Sequence, residues 1–171
     1  FDDAHAVGAT YAASGSLDAV VKAANPATAL ATRSMSLDEA KRTAELASRI
    51  GAAAKRAGLQ YVYHNHAREF ADQGSGATGY DVLLRETDPD LVKFEIDCGW
   101  MIFAGHDPIA YFKKYPNRFP LIHVKDVAAD GDWAEVGYGA IDYRPIVAAA
   151  PGLGVEWLIV EQDTTHRPPL E

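Results

Sequence analysis

Short apolar runs recur along this chain, and four of them end in two polar residues separated by one position. They read Val62-Tyr63-His64-Asn65-His66, Phe94-Glu95-Ile96-Asp97, Leu121-Ile122-His123-Val124-Lys125-Asp126 and Leu158-Ile159-Val160-Glu161-Gln162-Asp163. Residues two apart in a strand share a face. His64 with His66, Glu95 with Asp97, His123 with Lys125, and Glu161 with Asp163 therefore each form a one-sided pair. Imidazoles, carboxylates and an ammonium are expensive to hide in an apolar core. Parallel strands whose C-terminal ends meet at a polar, metal-binding mouth reconcile this pattern with burial.

The separators between the runs read as helices. Ser36-Leu37-Asp38-Glu39 is a capping box, in which a serine and a glutamate satisfy each other's backbone donors. The helix it opens runs to about residue 57, with Leu37, Ala40, Ala44, Ala47, Ile50, Ala54 and Ala57 at helical spacing and Gly58 as its stop. Strands are predicted at 60–66, 92–97, 120–125 and 155–161, with a short one at 9–13 after a helix end. Further helices are predicted at 80–86, from the Asp107-Pro108 start to 115, and at 143–150. The alanine-rich stretch 17–35 reads as helical turns with loop. The connection 126–142 is long for a strand–helix loop and reads as functional. Gly137-Tyr138-Gly139 within it signals only a bend.

Strand and helix alternate without hairpin signals, which predicts an α/β fold with a parallel sheet of right-handed βαβ units. Five strands suit either an open doubly wound sheet or most of a closed (β/α)8 barrel. No GxGxxG or P-loop follows any strand, which weakens a nucleotide-binding reading.

A chain of 171 residues is long enough for one domain with a real core. A net charge of −8 argues against binding to a nucleic acid backbone. Cys98 is the only cysteine, so there is no disulfide framework and no thiolate zinc cage. Beside Asp97, it is expected to face the covering helices as a small hydrophobe. No run approaches the ~20 apolar residues of a membrane span. There is no signal-peptide pattern, so the expected location is the cytoplasm. A start at Phe1 rather than Met suggests a fragment or a processed chain.

The motifs, taken in order, carry a resemblance. Tyr63-His64-Asn65-His66 with Glu69-Phe70, Glu95-Ile96-Asp97-Cys98-Gly99-Trp100, His123-Val124-Lys125-Asp126 and Val160-Glu161-Gln162-Asp163 resemble the sugar phosphate isomerase/epimerase family. That family belongs to the xylose-isomerase-like (β/α)8 TIM barrel superfamily. Gly105-His106-Asp107-Pro108, Asn117-Arg118-Phe119 and Gly137-Tyr138-Gly139-Ala140-Ile141-Asp142 match its usual pattern too. The resemblance covers nearly all of 1–171 as one partial barrel domain, about strands three to seven, and implies that the chain is incomplete. A partial barrel leaves open parallel edges that invite association, so a homo-oligomer is one expected partner state.

The resemblance implies one divalent metal ion held by His64, Asp97, His123 and Glu161. At the first position, where the family usually has glutamate, this chain has His64. Two imidazoles and two carboxylates suit Mn²⁺ first, with Co²⁺, Fe²⁺ or Zn²⁺ as alternatives, better than Mg²⁺. Around the metal, Glu161, His66 and Lys125 are the candidate catalytic residues. His66, Trp100 and Lys125 are the candidate substrate contacts, Trp100 either by stacking on a sugar or simply by packing on the next helix. Glu95 either orients a ligand or is a buried structural carboxylate. Asp126 and Asp163 are expected to fix loops, and His5, His106 and His166 have no assigned role.

The activity this implies is that of a metal-dependent isomerase or epimerase acting on a keto-sugar or related polyol through an enediolate, with a small carbohydrate as substrate. Ketose epimerases of the superfamily use two metal-bound glutamates, and only Glu161 remains here unless His66 replaces the second base. A lyase or dehydratase acting on a keto-inositol or 3-keto-glycoside is therefore an alternative, and a non-catalytic sugar-binding barrel or inactive fragment is another. Abasic-site endonucleases share the barrel, but they need further metal ligands and a basic DNA face that this chain lacks.

Overall fold

The computed structural model describes residues 1–15, 17, 34–74 and 76–165. The helical turns expected within 17–35 fall almost wholly outside these residues, as does His166. The elements are α1 (Asp2–Ala6), β1 (Tyr11–Gly15), α2 (Leu37–Arg56), β2 (Gln60–His64), α3 (Gly79–Glu86) and β3 (Val92–Asp97). They continue with α4 (Cys98–Phe103), α5 (Pro108–Lys114), β4 (Leu121–Val124), β5 (Asp126–Val127), β6 (Trp133–Ala134), α6 (Arg144–Ala149) and β7 (Trp157–Val160). The five long strands form one sheet in chain order, β1-β2-β3-β4-β7. β1 with β2, β2 with β3 and β4 with β7 pair in parallel, as part of a TIM barrel should. Among the described residues, no helix is long and apolar enough to cross a membrane.

The chain divides into two compact units, Phe1–Glu95 and Ile96–Glu171. In the first, the capping box at Ser36 forms as expected: Ser36 Oγ accepts from Glu39 N at 3.2 Å, and Glu39 Oε2 accepts from Ser36 N at 3.0 Å. α2 then buries Ala40, Thr43, Ala44, Ala47, Gly51 and Ala54. Ile50 is only partly buried, because the helix phase puts Gly51 innermost, where a Cβ would run into the Leu91 carbonyl. Gly58 follows the helix at φ 77°, a conformation that costs glycine little. α3 opens with a second capping box, Thr78 with Asp81. Tyr61, Val62, Tyr63, Phe70, Tyr80, Leu83 and Phe94 are buried in this unit.

In the second unit the core is Ile96, Cys98, Met101, Phe112, Phe119, Leu121 and Ile122. Cys98 is fully buried, as its small apolar character requires. Three expectations need correction here. The sequence offers no helix after β3, yet α4 starts at once, because the Asp97 side chain turns back and its Oδ1 accepts from Trp100 N at 2.8 Å. Loop 126–142 holds a two-stranded antiparallel hairpin, β5 with β6. The predicted helix 143–150 is shorter and passes into a 3₁₀ turn, Ala150–Leu153. The strands also end early, at His64, Val124 and Val160, so that His66, Lys125 and Glu161 stand just beyond them. On β7, Trp157 is 61% exposed and Val160 65%, an apolar edge strand that pairs with β4 on one side.

Candidate metal centre

In the second unit, three of the expected ligands converge at successive strand ends. His123 Nδ1 lies 2.9 Å from Glu161 Oε2 and 3.9 Å from Asp97 Oδ2. Asp97, His123 and Glu161 each offer one ligand atom within 4.8 Å of the others. Asp97 is fully buried, and its two oxygens are divided between tasks: Oδ1 caps α4 while Oδ2 faces His123. Burial, and then the neighbouring Glu161 carboxyl, hold Asp97 well above the ordinary carboxylate range. A divalent cation between these two carboxyls would favour the ionised form of both. The donor set fits such an ion: nitrogen and carboxylate oxygen at bonding reach of one point.

Lys125, next along the chain, is buried. Its ammonium is 2.5 Å from Asp163 Oδ2 and 3.6 Å from Glu161 Oε1. Asp163 thus pairs with the lysine rather than fixing a loop. The Lys125 backbone is clasped by Tyr143, whose hydroxyl accepts from Lys125 N at 3.0 Å and donates to Lys125 O at 2.7 Å. Gly99 completes the clasp, since any Cβ there would strike the Lys125 carbonyl. Trp100 is 8% exposed and packs edge-on against Trp133 at 4.3 Å and Phe103 at 5.9 Å. Asp126 does fix its loop. Its carboxylate accepts from the backbone N–H groups of Val127, Gly137, Gly139 and Ile141 at 2.9 to 3.2 Å. His106 lies with its ring 6.0 Å from that of Tyr111.

In the first unit, His64 ends β2 with Nδ1 3.8 Å from Glu95 Oε2, so Glu95 stands where it can orient that imidazole. The His66 ring meets the His64 ring edge to face at 4.8 Å, although β2 has already ended. Gly15, opposite His64 on β1, leaves room for both rings: a Cβ there would lie 3.0 Å from His66 Cε1 and 3.2 Å from His64 Cδ2. His66 is held from behind, since its backbone N donates to Glu69 at 2.9 Å while Tyr63 OH donates to the other Glu69 oxygen at 2.8 Å. Arg68 reaches Glu39 on α2 at 3.4 Å.

Burial pushes Glu69 up to about 7 from 4.5, against the hydrogen bonds that lower it. Between those two pH values the unfolded chain ionises this group and the folded chain does not. Stability therefore falls as pH rises across that window, by on the order of 3 kcal/mol in total, and is unaffected by this group below it. Glu69→Gln is expected to remove that slope in urea unfolding followed from pH 4.5 to 7.5. A slope unchanged by the substitution would assign it to another group.

Tyr143 and Trp133 carry no sequence signal of these roles. Glu69 stands three residues after His66, the spacing of a capping pair, and that was the available clue.

A parallel half-barrel with a polar cluster at its strand ends defines a class, and the sequence comparisons agree. Residues 1–171 match the xylose isomerase-like TIM barrel family, and the chain belongs to it. It is 33% identical over 158 residues to an inosose dehydratase of Lacticaseibacillus casei, covering 78% of this chain and 51% of that protein. An inosose dehydratase of Clostridium tetani is 32% identical over 158 residues, with the same coverage of 78% and 51%. A crystal structure of a sugar phosphate isomerase/epimerase from Parabacteroides distasonis superposes with a TM-score of 0.77 at 29% identity, covering 97% of this chain and 55% of that one. The chain spans about half the length of the curated relatives it matches.

Proposed function

We propose that the full-length protein is a divalent-metal-dependent dehydratase of a cyclic keto-polyol of the inosose type. Its ion would be held by Asp97, His123 and Glu161, whose ligand atoms lie within 4.8 Å of one another, with His64 as the fourth donor that the family resemblance implies. The likeness to inosose dehydratases carries the reading. The second unit supports it, with one acid–base carboxylate, Glu161, and an ammonium, Lys125, 3.6 Å away. A bound cation supplies a Lewis acid for the substrate's carbonyl oxygen. Glu161 takes the proton from the carbon next to the ketone. Lys125 holds the hydroxyl one carbon further on and gives it a proton as its C–O bond breaks, so that water leaves. The resulting enol becomes a diketone. Imidazole and carboxylate donors together accept Mn²⁺, Fe²⁺, Co²⁺ or Zn²⁺, and Mn²⁺ is the first to test. Trp100, 8% exposed and packed on Phe103 and Trp133, leaves a substrate little surface to stack on.

Epimerisation is the second reading, favoured by the likeness to the isomerase/epimerase structure and by the His66 ring beside His64. His66 would then return the proton on the opposite face. Incubation of the metal-loaded enzyme with an inosose and with a ketose panel in D₂O separates the two. Dehydration is expected to give an unsaturated or diketone product with loss of water. An inverted sugar carrying deuterium would establish epimerisation instead.

A further inference from the structure

The connection between β4 and α6 is longer than a strand–helix link requires, and its hairpin carries Trp133 to one place. The Lys125 Nζ lies 4.5 Å from the centre of the Trp133 ring and 5.5 Å from that of Trp100. The carboxylates of Asp163 and Glu161 reach the same ammonium. A lysine stem has four flexible carbons, so a fixed backbone alone does not fix its charge. Here the root is clasped by Tyr143 and Gly99, and the tip lies among two carboxylates and two indoles. Trp133 is itself anchored, because β5 begins at Asp126, whose carboxylate ties the far end of the same loop.

We propose that Trp133 is a positioning residue for Lys125: its ring holds the ammonium beside Glu161 by cation–π attraction, so that the loop of 126–142 exists to set one lysine. The inference rests on the acid role given to Lys125 above. Without the ring, the ammonium would sample its other rotamers and meet the departing hydroxyl less often.

The test is a double-mutant cycle on the full-length, metal-loaded protein with an inosose: Trp133→Leu, Lys125→Met and the pair, with Trp133→Phe alongside. Trp133→Leu is expected to lower kcat about tenfold with KM nearly constant, and Trp133→Phe to restore most of it. In the Lys125→Met background Trp133→Leu is expected to cost nothing more, since the two act as one. An equal loss in that background, or full turnover in Trp133→Leu while Lys125→Met is impaired, would overturn the proposal.

Tryptophan emission of the metal-free protein tests the contact apart from activity. Lys125→Met should shift it more when Trp133 is present than in Trp133→Leu, where Trp100 alone is left beside the ammonium. If neither variant changes turnover, the acid role of Lys125 falls, and the emission cycle alone decides whether the cage is real. No shift in it overturns the cage.

Discussion

Glu161→Gln in the full-length protein is expected, on the proposed function, to keep a bound metal ion and to lose turnover by 10²–10⁴-fold, the usual contribution of a general acid–base group. An amide oxygen still coordinates, but it cannot take a proton. Glu161 lies 2.9 Å from His123 and 3.6 Å from Lys125, so the amide can still accept a hydrogen bond from the lysine. Metal content by atomic emission, with turnover on an inosose, reads both halves of the expectation. Turnover near that of the unmodified enzyme, with metal retained, would move proton abstraction to another group, and His66 would be the first to examine.

The second large effect is at Asp97, where two substitutions should part. Asp97→Ala removes the oxygen that caps α4 at 2.8 Å together with the one facing His123. It should lower stability by ~1 kcal/mol for the lost cap and weaken metal binding. Asp97→Asn keeps an oxygen for the cap and loses the charge. Its unfolding midpoint should stay near that of the parent, while its affinity for Mn²⁺ falls more than ~100-fold, beyond what loss of an outer hydrogen-bond partner costs. Denaturant titration and metal titration, run on both variants, make the comparison. Equal metal affinity in all three proteins would remove Asp97 from the ligand set.

The strand ends were legible because alternation is a strong signal: His123 and Asp97 could be assigned to one end of their strands from the apolar residues around them. His64 and Glu161 end apolar runs in the same way, and the family resemblance joined the four into one candidate ligand set. What stayed hidden depends on side chains closing backbone gaps. Asp97 doubles as a helix cap, and nothing in Cys98-Gly99-Trp100-Met101-Ile102-Phe103 shows a helical period by itself. The β5–β6 hairpin is only two residues on each side, too short for alternation to appear. His66 looked like a strand residue by its spacing from His64. Instead β2 ends at His64, and His66 N donates to the Glu69 side chain rather than to a strand. Trp133 lies eight positions from Lys125 in sequence, and only the hairpin brings its ring to the ammonium.

Asp126 closes its loop as a clasp closes a necklace. One carboxylate grips the first amide of the segment and three near its end, so the beads between can change without loosening the string. Residues inserted or exchanged between Ala128 and Asp132 would leave β4 and α6 where they are and alter only what the hairpin presents. The stretch is therefore the natural place to insert or exchange residues without moving the strand and helix on either side.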